Sequence, residues 1–298
     1  MALGRSSPGS ANTSPRASRP DRVGPVGRVV RLGVDDGRVR VRVERIGSRT
    51  AIVESFRSVP FHLGLPADRV GDGRAELILQ NVGPGVLPGD RLRIELDVGP
   101  GAVLDVRGQG ATRIHPSAAA ASGIPGEIET RLHVAEGGLL IFLPGELIPY
   151  RAARLRQATT IDVVTGGHLA MADTLTRGRE AMGERDVYAA FDLRVRASYG
   201  ERTVLIERAR LEPAARALDS VGRHGPFAVS ASLYLIGERW RMPAVSHGAG
   251  EVVWAIDAGD GYALGRVLGA TTQAVTAVVR RLIEEASVDL AEHRGTKG

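Results

Sequence analysis

The feature that most constrains the fold is the division of the chain, from Val26 onward, into short runs of Val, Leu and Ile. Each run spans about five to nine residues and is bounded by Gly, Pro or Asp, which is typical of strands. Within 38–45, RVRVRVER, Arg and Val alternate strictly, so a strand here has one charged, solvated face and one apolar face. The pattern predicts a mainly β protein with a large multi-stranded structure. Further strands are predicted over 186–196, 202–210, 226–236 and 250–257.

A short phrase recurs three times, as DVGPGAVL at 97–104, HVAEGGLL at 133–140 and DVVTGGHL at 162–169. Each copy has a Gly between two apolar runs, where a residue that adopts positive φ lets the chain reverse. Each copy therefore predicts a hairpin. The spacing is unequal, so we expect successive hairpins stacked along a continuous β structure rather than a strict solenoid. The glycines concerned are Gly101, Gly137 and Gly166.

One segment, about 271–294, departs from the strand pattern because its apolar residues recur at steps of three and four. This spacing predicts an amphipathic α-helix near the C-terminus, with Thr271 or Thr272 as its N-cap. Its apolar stripe is expected to pack on the sheet, with a partner subunit as the alternative. The stripe consists of Val275, Val278, Val279, Leu282, Ile283, Ala286 and Leu290.

Composition narrows the possible partners. Residues 1–25 are rich in Ser, Pro, Gly and Arg, which predicts a disordered basic tail before a single β-rich domain over 26–298. Three of the five net positive charges lie in the first 22 residues, so the body is near neutral and a nucleic-acid partner is not expected. No stretch approaches the roughly 20 apolar residues of a membrane span, and no apolar signal core follows Met1. We therefore expect a cytoplasmic protein with no membrane partner.

The chain carries none of the common catalytic or metal-binding signatures. It has no Cys, and its seven histidines form no HxxxH, HxH or HExxH pair. The GxSxG, P-loop and Rossmann motifs are also missing, so we expect no enzyme activity, no permanently bound cofactor and no fixed metal site. A β-rich carbohydrate-active enzyme remains the alternative, because paired carboxylates are recognised by their separation in space.

Four local sequence motifs are more specific than strand and turn propensities require. They lie at 85–117, 137–157, 178–184 and 263–269, and we call them the four clusters. In this order and spacing they resemble the urease accessory protein UreD family, also called UreH. A GD pair, a TQxATKxY-like segment, an LPxxxIP-like turn followed by Ala and Gln, and a GRxxxGE-like element carry the resemblance. The matching residues are Gly89, Asp90, Gln109, Ala111, Thr112, Arg113, Ile114, Leu143, Pro144, Ile148, Pro149, Ala153, Gln157, Gly178, Arg179, Gly183 and Glu184.

The resemblance implies a metallochaperone scaffold that is needed for nickel insertion into apo-urease. Such a scaffold bridges urease to the UreF-type and UreG-type accessory proteins, of which the second is the GTPase. Nickel would pass transiently along carboxylates, for which Glu146, Glu180 and Glu184 are the candidates. Asp97, Asp105, Asp162 and Asp173 are further carboxylates in the matching region.

Some positions depart from the family pattern, and others have a simpler structural explanation. Gly108, Arg113 and His115 stand where the family has Thr, Lys and Tyr, which leaves open a diverged paralogue with another client. The pairs at 89–90 and 183–184 suit turns. The charged residues Arg113, Arg179 and Glu184 can form ion pairs either with a partner subunit or within the chain.

Overall fold

The apolar runs of the sequence form strands in the computed structural model, which describes residues 36–65, 73–116, 123–220, 223–241, 247–248 and 250–287. The predicted tail, residues 1–25, lies outside the described residues, and the single domain over 26–298 stays a prediction. In chain order the strands are β1 (Asp36–Ile46), β2 (Arg49–Arg57), β3 (Phe61–Gly64), β4 (Ala75–Asn81), β5 (Arg91–Val98), β6 (Val103–Gly108), β7 (Thr112–Ile114), β8 (Gly126–Val134), β9 (Leu139–Leu143), β10 (Glu146–Pro149), β11 (Arg154–Val163), β12 (His168–Thr176), β13 (Gly178–Arg179), β14 (Glu184–Arg185), β15 (Ala190–Tyr199), β16 (Arg202–Leu211), β17 (Val229–Ile236), β18 (His247–Gly248), β19 (Val252–Gly259) and β20 (Tyr262–Gly269).

The strands make two large sheets and one small hairpin, and this confirms the mainly β class. The first sheet has seven strands in the order β16-β15-β11-β8-β5-β1-β2. The second has eleven, of which nine follow the order β18-β19-β20-β17-β12-β9-β6-β4-β3, while β10 and β7 attach beside β12. The pair β13-β14 flanks a 3-10 turn at Glu180–Met182.

The three repeated phrases do not form hairpins, contrary to the prediction. Each connects a strand of the first sheet to one of the second, joining β5 to β6, β8 to β9 and β11 to β12. The strands on either side of a phrase face each other across the core, and equivalent strands from successive phrases pair in parallel. The physical reason is that both flanking runs are apolar, and a corner between sheets buries them against each other.

The three corners stack directly on one another through backbone hydrogen bonds. Gly101 N–H donates to the carbonyl oxygen of Glu136 at 3.0 Å, and Gly137 N–H donates to that of Gly166 at 3.0 Å. The glycines at 101, 137 and 166 have φ values of +62°, +67° and +81°, a region that favours glycine. The prediction of reversal at these glycines was correct, but the chain reverses into the opposite sheet.

The core lies between the two sheets, and a second apolar layer lies behind the second sheet. Val39, Val41 and Val43 of β1 are fully buried on the inner face, as the alternation predicts. On the opposite face, Arg38 and Arg40 pair with Glu95 at 2.8 and 2.7 Å. The first sheet therefore has one solvent-exposed face. In β12 and β17 of the second sheet, by contrast, most residues are buried, so both faces of these strands are covered.

Helix α1 (Thr272–Ala286) covers the outer face of the second sheet and packs on β17 and β20. The Thr271 side chain accepts a hydrogen bond from Ala274 N–H, which confirms the predicted N-cap. The helix is shorter than predicted because Ser287 takes an extended backbone, and its hydroxyl donates to the carbonyl oxygen of Ile283 at 2.7 Å. Leu290 lies outside the described residues. The buried stripe consists of Val275, Val279, Leu282, Ile283 and Ala286.

Candidate functional site

Three of the four sequence clusters meet at one end of the second sheet. Strand β10, from the LPxxxIP-like turn, pairs in parallel with β7 from the TQxATKxY-like segment and also with β12. Val86, just before the GD pair, donates its N–H to the carbonyl oxygen of Arg113 at 2.8 Å. The hairpin β13-β14, which carries the GRxxxGE-like element, follows β12 directly. We call this region the motif surface and define it by residues 85–90, 109–115, 143–151 and 178–185. The fourth cluster, 263–269, lies apart in β20 under helix α1.

Three polar side chains contact one another in a row at the centre of the motif surface. The rings of His115 and Tyr150 are 4.7 Å apart, and the Arg179 guanidinium lies 3.9 Å from the centre of the Tyr150 ring. Arg179 also donates to both carboxylate oxygens of Glu184, at 2.9 and 2.8 Å. Of the two ion-pair alternatives, these two residues therefore form the one within the chain. The hydrogen bond from Arg179 holds the pKa of Glu184 below its usual range.

The turns in the motif surface account for several of the matching residues. Asp90 accepts a hydrogen bond from Leu87 N–H at 2.8 Å, and Gly89 has φ of +88°. Gly183 caps the 3-10 turn with φ of +68°. Gly108 lies against the LPxxxIP-like turn, where an added Cβ would come within 2.0 Å of the carbonyl oxygen of Pro144. The Gly at position 108, where the family has Thr, therefore suits the close backbone approach in this chain.

The three carboxylates proposed for a nickel path do not gather into one site. Glu180 pairs with Arg185 at 3.2 Å, and Glu184 is held by Arg179. Glu146 begins β10, where its Cα is in register with Thr174. Over the described residues, no group of three His, Asp or Glu is placed to hold a metal ion together. Six other motif residues are partly or fully exposed, namely Gln109, Thr112, Arg113, Leu143, Pro144 and Ile148. Others are buried, namely Ile114, Pro149, Ala153, Gln157 and Gly178.

Two neighbouring cavities lie between the two sheets, and the smaller one reaches residues of the motif surface from inside. A wide cavity of about 730 Å³ lies between β15 and β16 on one side and β17 and β20 on the other. A smaller one of about 60 Å³ lies next to it and is lined by Gly110, Thr112 and Gly145 of the motif surface. The two cavities share three lining residues, Leu147, Gln157 and Asp173.

Asp173 carries the most strongly perturbed acid of this interior. Burial raises the pKa of its carboxyl to about 7, and Gln157 Nε2 donates a hydrogen bond to this carboxylate at 2.9 Å. Oε1 of Gln157 is buried and has no partner among the described residues. Of the other carboxylates, Asp97 and Asp162 lie on the wet face of the first sheet, and Asp105 is buried beside Arg107 at 2.7 Å.

Sequence analysis missed a second polar group in the wide cavity. Glu207 of β16 accepts from the Tyr234 hydroxyl at 2.9 Å and pairs with Arg266 at 2.7 Å. Its charge is therefore balanced by Arg266, whereas Asp173 has no ion pair among the described residues. The sequence does contain a signal for Glu207, because it is a charged residue at a position where the alternation of the strand predicts an apolar one. Leu205 and Ala209 lie on either side of it on the inner face.

Comparison with known proteins agrees with the clusters. No helix in the described part of the chain is long and apolar enough to cross a membrane. The family model described as "UreD urease accessory protein" matches residues 35–296. A protein named urease accessory protein UreD from Anaeromyxobacter sp. (strain Fw109-5) is 31% identical over 265 residues, 84% of this chain and 85% of that protein.

Other relatives carry the same name. The Deinococcus radiodurans urease accessory protein UreD is 27% identical over 258 residues, 85% of this chain and 91% of that protein. The Streptomyces griseus urease accessory protein UreD 2 is 32% identical over 209 residues, 67% of this chain and 66% of that protein. The family model spans all of the described residues, and together with relatives at this identity it shows that the chain belongs to the UreD family of urease accessory proteins.

Proposed function

We propose that this chain is a non-enzymatic scaffold that is needed for nickel insertion into apo-urease in the cytoplasm. In this role it bridges urease to a UreF-type protein and, through it, to a UreG-type GTPase. Nickel is cargo that crosses the scaffold and leaves it. GTP hydrolysis takes place on the partner, so the scaffold itself needs no catalytic group.

The observation that carries this proposal is the meeting of two cavities at Asp173. A cation that moves between the sheets from the wide cavity to the narrow one must pass the side chains that both cavities share. Two of these, Gln157 and Asp173, offer the amide and carboxylate oxygens that divalent cations accept as ligands. A single carboxylate binds a cation weakly enough to release it, whereas a complete cage would retain it.

The motif surface supports the second half of the proposal, which is docking to a partner. The stack formed by His115, Tyr150 and Arg179 is held in place by the two-point pair to Glu184, so it presents a preorganised surface. Met182 beside this stack is 68% exposed. An exposed Met next to a rigid aromatic and Arg group is a composition that is enriched at protein interfaces.

Co-expression tests both halves of the proposal. Apo-urease is produced with UreF-type and UreG-type partners at limiting nickel, and urease activity is measured with the chain present, omitted or substituted. Omission should abolish activation. Asp173→Asn should reduce activation by removing the charged ligand, and Ser232→Phe should reduce it by filling the wide cavity without changing its charge.

Asp260→Asn is the matched control, because Asp260 is an exposed carboxylate that pairs with Arg202 at 2.8 Å, outside both cavities. It should activate urease as well as the unchanged chain does. Full activation by both Asp173→Asn and Ser232→Phe would contradict a route between the sheets. Activation that is independent of the chain would instead indicate a diverged paralogue with another client.

A further inference from the structure

Strand β2 is an exposed edge of the first sheet. It pairs with β1 alone in the sheet order. Its one further backbone contact among the described residues lies near its start, where Thr50 N–H donates to the carbonyl oxygen of Gly73 at 2.7 Å. From Ile52 to Arg57 every residue is exposed. Within the part of the chain that the structure describes, the backbone donors and acceptors on the outer edge of this half of β2 therefore have no partner.

The side chains of this edge are unusually apolar for an exposed strand. Val53 is 46% exposed and Phe56 is 50% exposed. The apolar surface continues past the end of β2 to Val59 and Val82, which are 69% and 65% exposed. Val82 N–H donates to the carbonyl oxygen of Pro60 at 2.9 Å, which brings these two valines into one area. Several exposed apolar side chains grouped along and beside one strand favour an interaction site there.

The charged residues of β2 indicate which charge a segment that binds there should carry. Arg49 and Arg57 stand at the two ends of the strand, and neither has a carboxylate partner among the described residues. A second copy of the chain is a poor occupant, because two-fold antiparallel pairing centred on Val53 would place Arg49 opposite Arg57. The register with β1 also slips here, since Arg42 pairs with Glu54 and Val43 with Ile52, which leaves Val53 as the extra residue of a bulge.

We propose that β2 is a docking edge for an extended segment of a partner protein, apolar along its length and carrying carboxylates at its ends. The segment adds to the sheet as an eighth strand, takes up the free backbone groups of Ser55 and Arg57, and covers Val53 and Phe56. Its end carboxylates pair with Arg49 and Arg57. This inference does not rest on the nickel route, because β2 contributes to neither cavity.

Strand addition can be tested with a synthetic probe on the full chain. The probe matches the nine residues of β2, with alternating Val and Thr between two Glu residues, and its affinity is measured by fluorescence anisotropy. A control probe has Lys at both ends. We expect the Glu-ended probe to bind at least about tenfold more tightly than the Lys-ended one.

Two variants separate backbone pairing from charge. Ser58 N–H donates to the carbonyl oxygen of Arg38, so by alternation Ser55 N–H points away from β1, and Ser55→Pro removes that donor without breaking the β1 ladder. Ser55→Pro should weaken the Glu-ended probe by about tenfold, whereas Ser55→Ala should not. The double substitution Arg49→Glu with Arg57→Glu should reverse the preference between the probes, which tests the proposal even where Ser55→Pro fails to fold.

Three outcomes would overturn the proposal. One is equal affinity for the two probes, and another is unchanged preference in the double variant. The third is a concentration-dependent dimer in sedimentation that Ser55→Pro dissociates, which would identify a second copy as the occupant.

Discussion

Arg179 and Glu184 are joined by two hydrogen bonds, of 2.9 and 2.8 Å, across the hairpin that carries the GRxxxGE-like element. Because Arg179 also lies over the Tyr150 ring at 3.9 Å, the same guanidinium connects the hairpin to the end of β10. The pair therefore fixes the shape of this hairpin within the chain.

Arg179→Ala and Glu184→Ala should each impair urease activation while leaving the protein folded. Both groups are near the surface, so their loss releases the hairpin and the stacked Tyr150 without opening the core. Activation at limiting nickel and the thermal midpoint are measured for each variant and for the double variant. Because the residues act as one unit, the double variant should lose no more activation than either single one. Additive losses would show that each residue contacts the partner separately.

Asp173 should make stability depend on pH in a defined window. Its pKa is raised in the folded chain from 3.8 to about 7, so between these values the unfolded chain has released a proton that the folded chain still holds. The free energy of unfolding therefore falls as pH rises through this window, by at most about 1.4 kcal/mol per pH unit, and levels off above it.

Urea unfolding at several pH values checks this slope. Asp173→Asn should flatten it, because the amide does not titrate, and should be the more stable protein above the window. The exposed Asp260→Asn should keep the slope of the unchanged chain. A slope that survives Asp173→Asn would assign the pH dependence to another group.

Ala152 directly follows the 143–151 segment of the motif surface and has φ of +60°, which is unfavourable for a residue with a Cβ. Ala152→Gly should raise the free energy of unfolding by about 1 kcal/mol through relief of this strain. Ala158→Gly on the exposed face of β11 is the control and should lower it by roughly 0.5–1 kcal/mol, because glycine weakens a strand. The free energy of unfolding of both variants is measured by thermal or urea unfolding. Destabilisation by both substitutions would contradict the strain at Ala152.

The two glycines of the GRxxxGE-like element should respond very differently to alanine. At Gly183 nothing lies within 4 Å of an added Cβ, so Gly183→Ala should cost only the positive-φ penalty of about 1–2 kcal/mol. At Gly178 the added Cβ would lie within 1.7 Å of the carbonyl oxygen of Glu184. Gly178→Ala should therefore break the hairpin and cost more. Equal thermal midpoints for the two variants would contradict the hairpin geometry.

Much of the fold follows from local pattern. The strict alternation in 38–45 predicts a strand with buried valines, and all three valines of β1 are buried. The recurrence of apolar residues at steps of three and four predicts α1, with a Thr as its N-cap. The hydrogen bond from Ala274 N–H to the Thr271 side chain confirms the N-cap. In each case the decisive forces, side-chain periodicity and capping, act over a few residues, so they can be inferred from the sequence.

Strand pairing and side-chain orientation depend on contacts between residues that are far apart in the sequence. The phrase around Gly137 has the composition of a hairpin turn, and the competition between a hairpin and a corner is decided by the apolar face that the two sheets share. The carboxylates differ in the same way, because Asp162 points to solvent and Asp173 into the interior although both lie in β-rich segments.

Residue types and their spacing are enough to assign the family, the β class, the positions of most strands and the helix. The three-dimensional arrangement was needed to show that successive phrases stack as corners, that Arg179 pairs with Glu184 inside the chain, and that Asp173 lines both cavities. These relationships join residues from different strands, and their energies arise from desolvation and packing that exist only once the two sheets have come together.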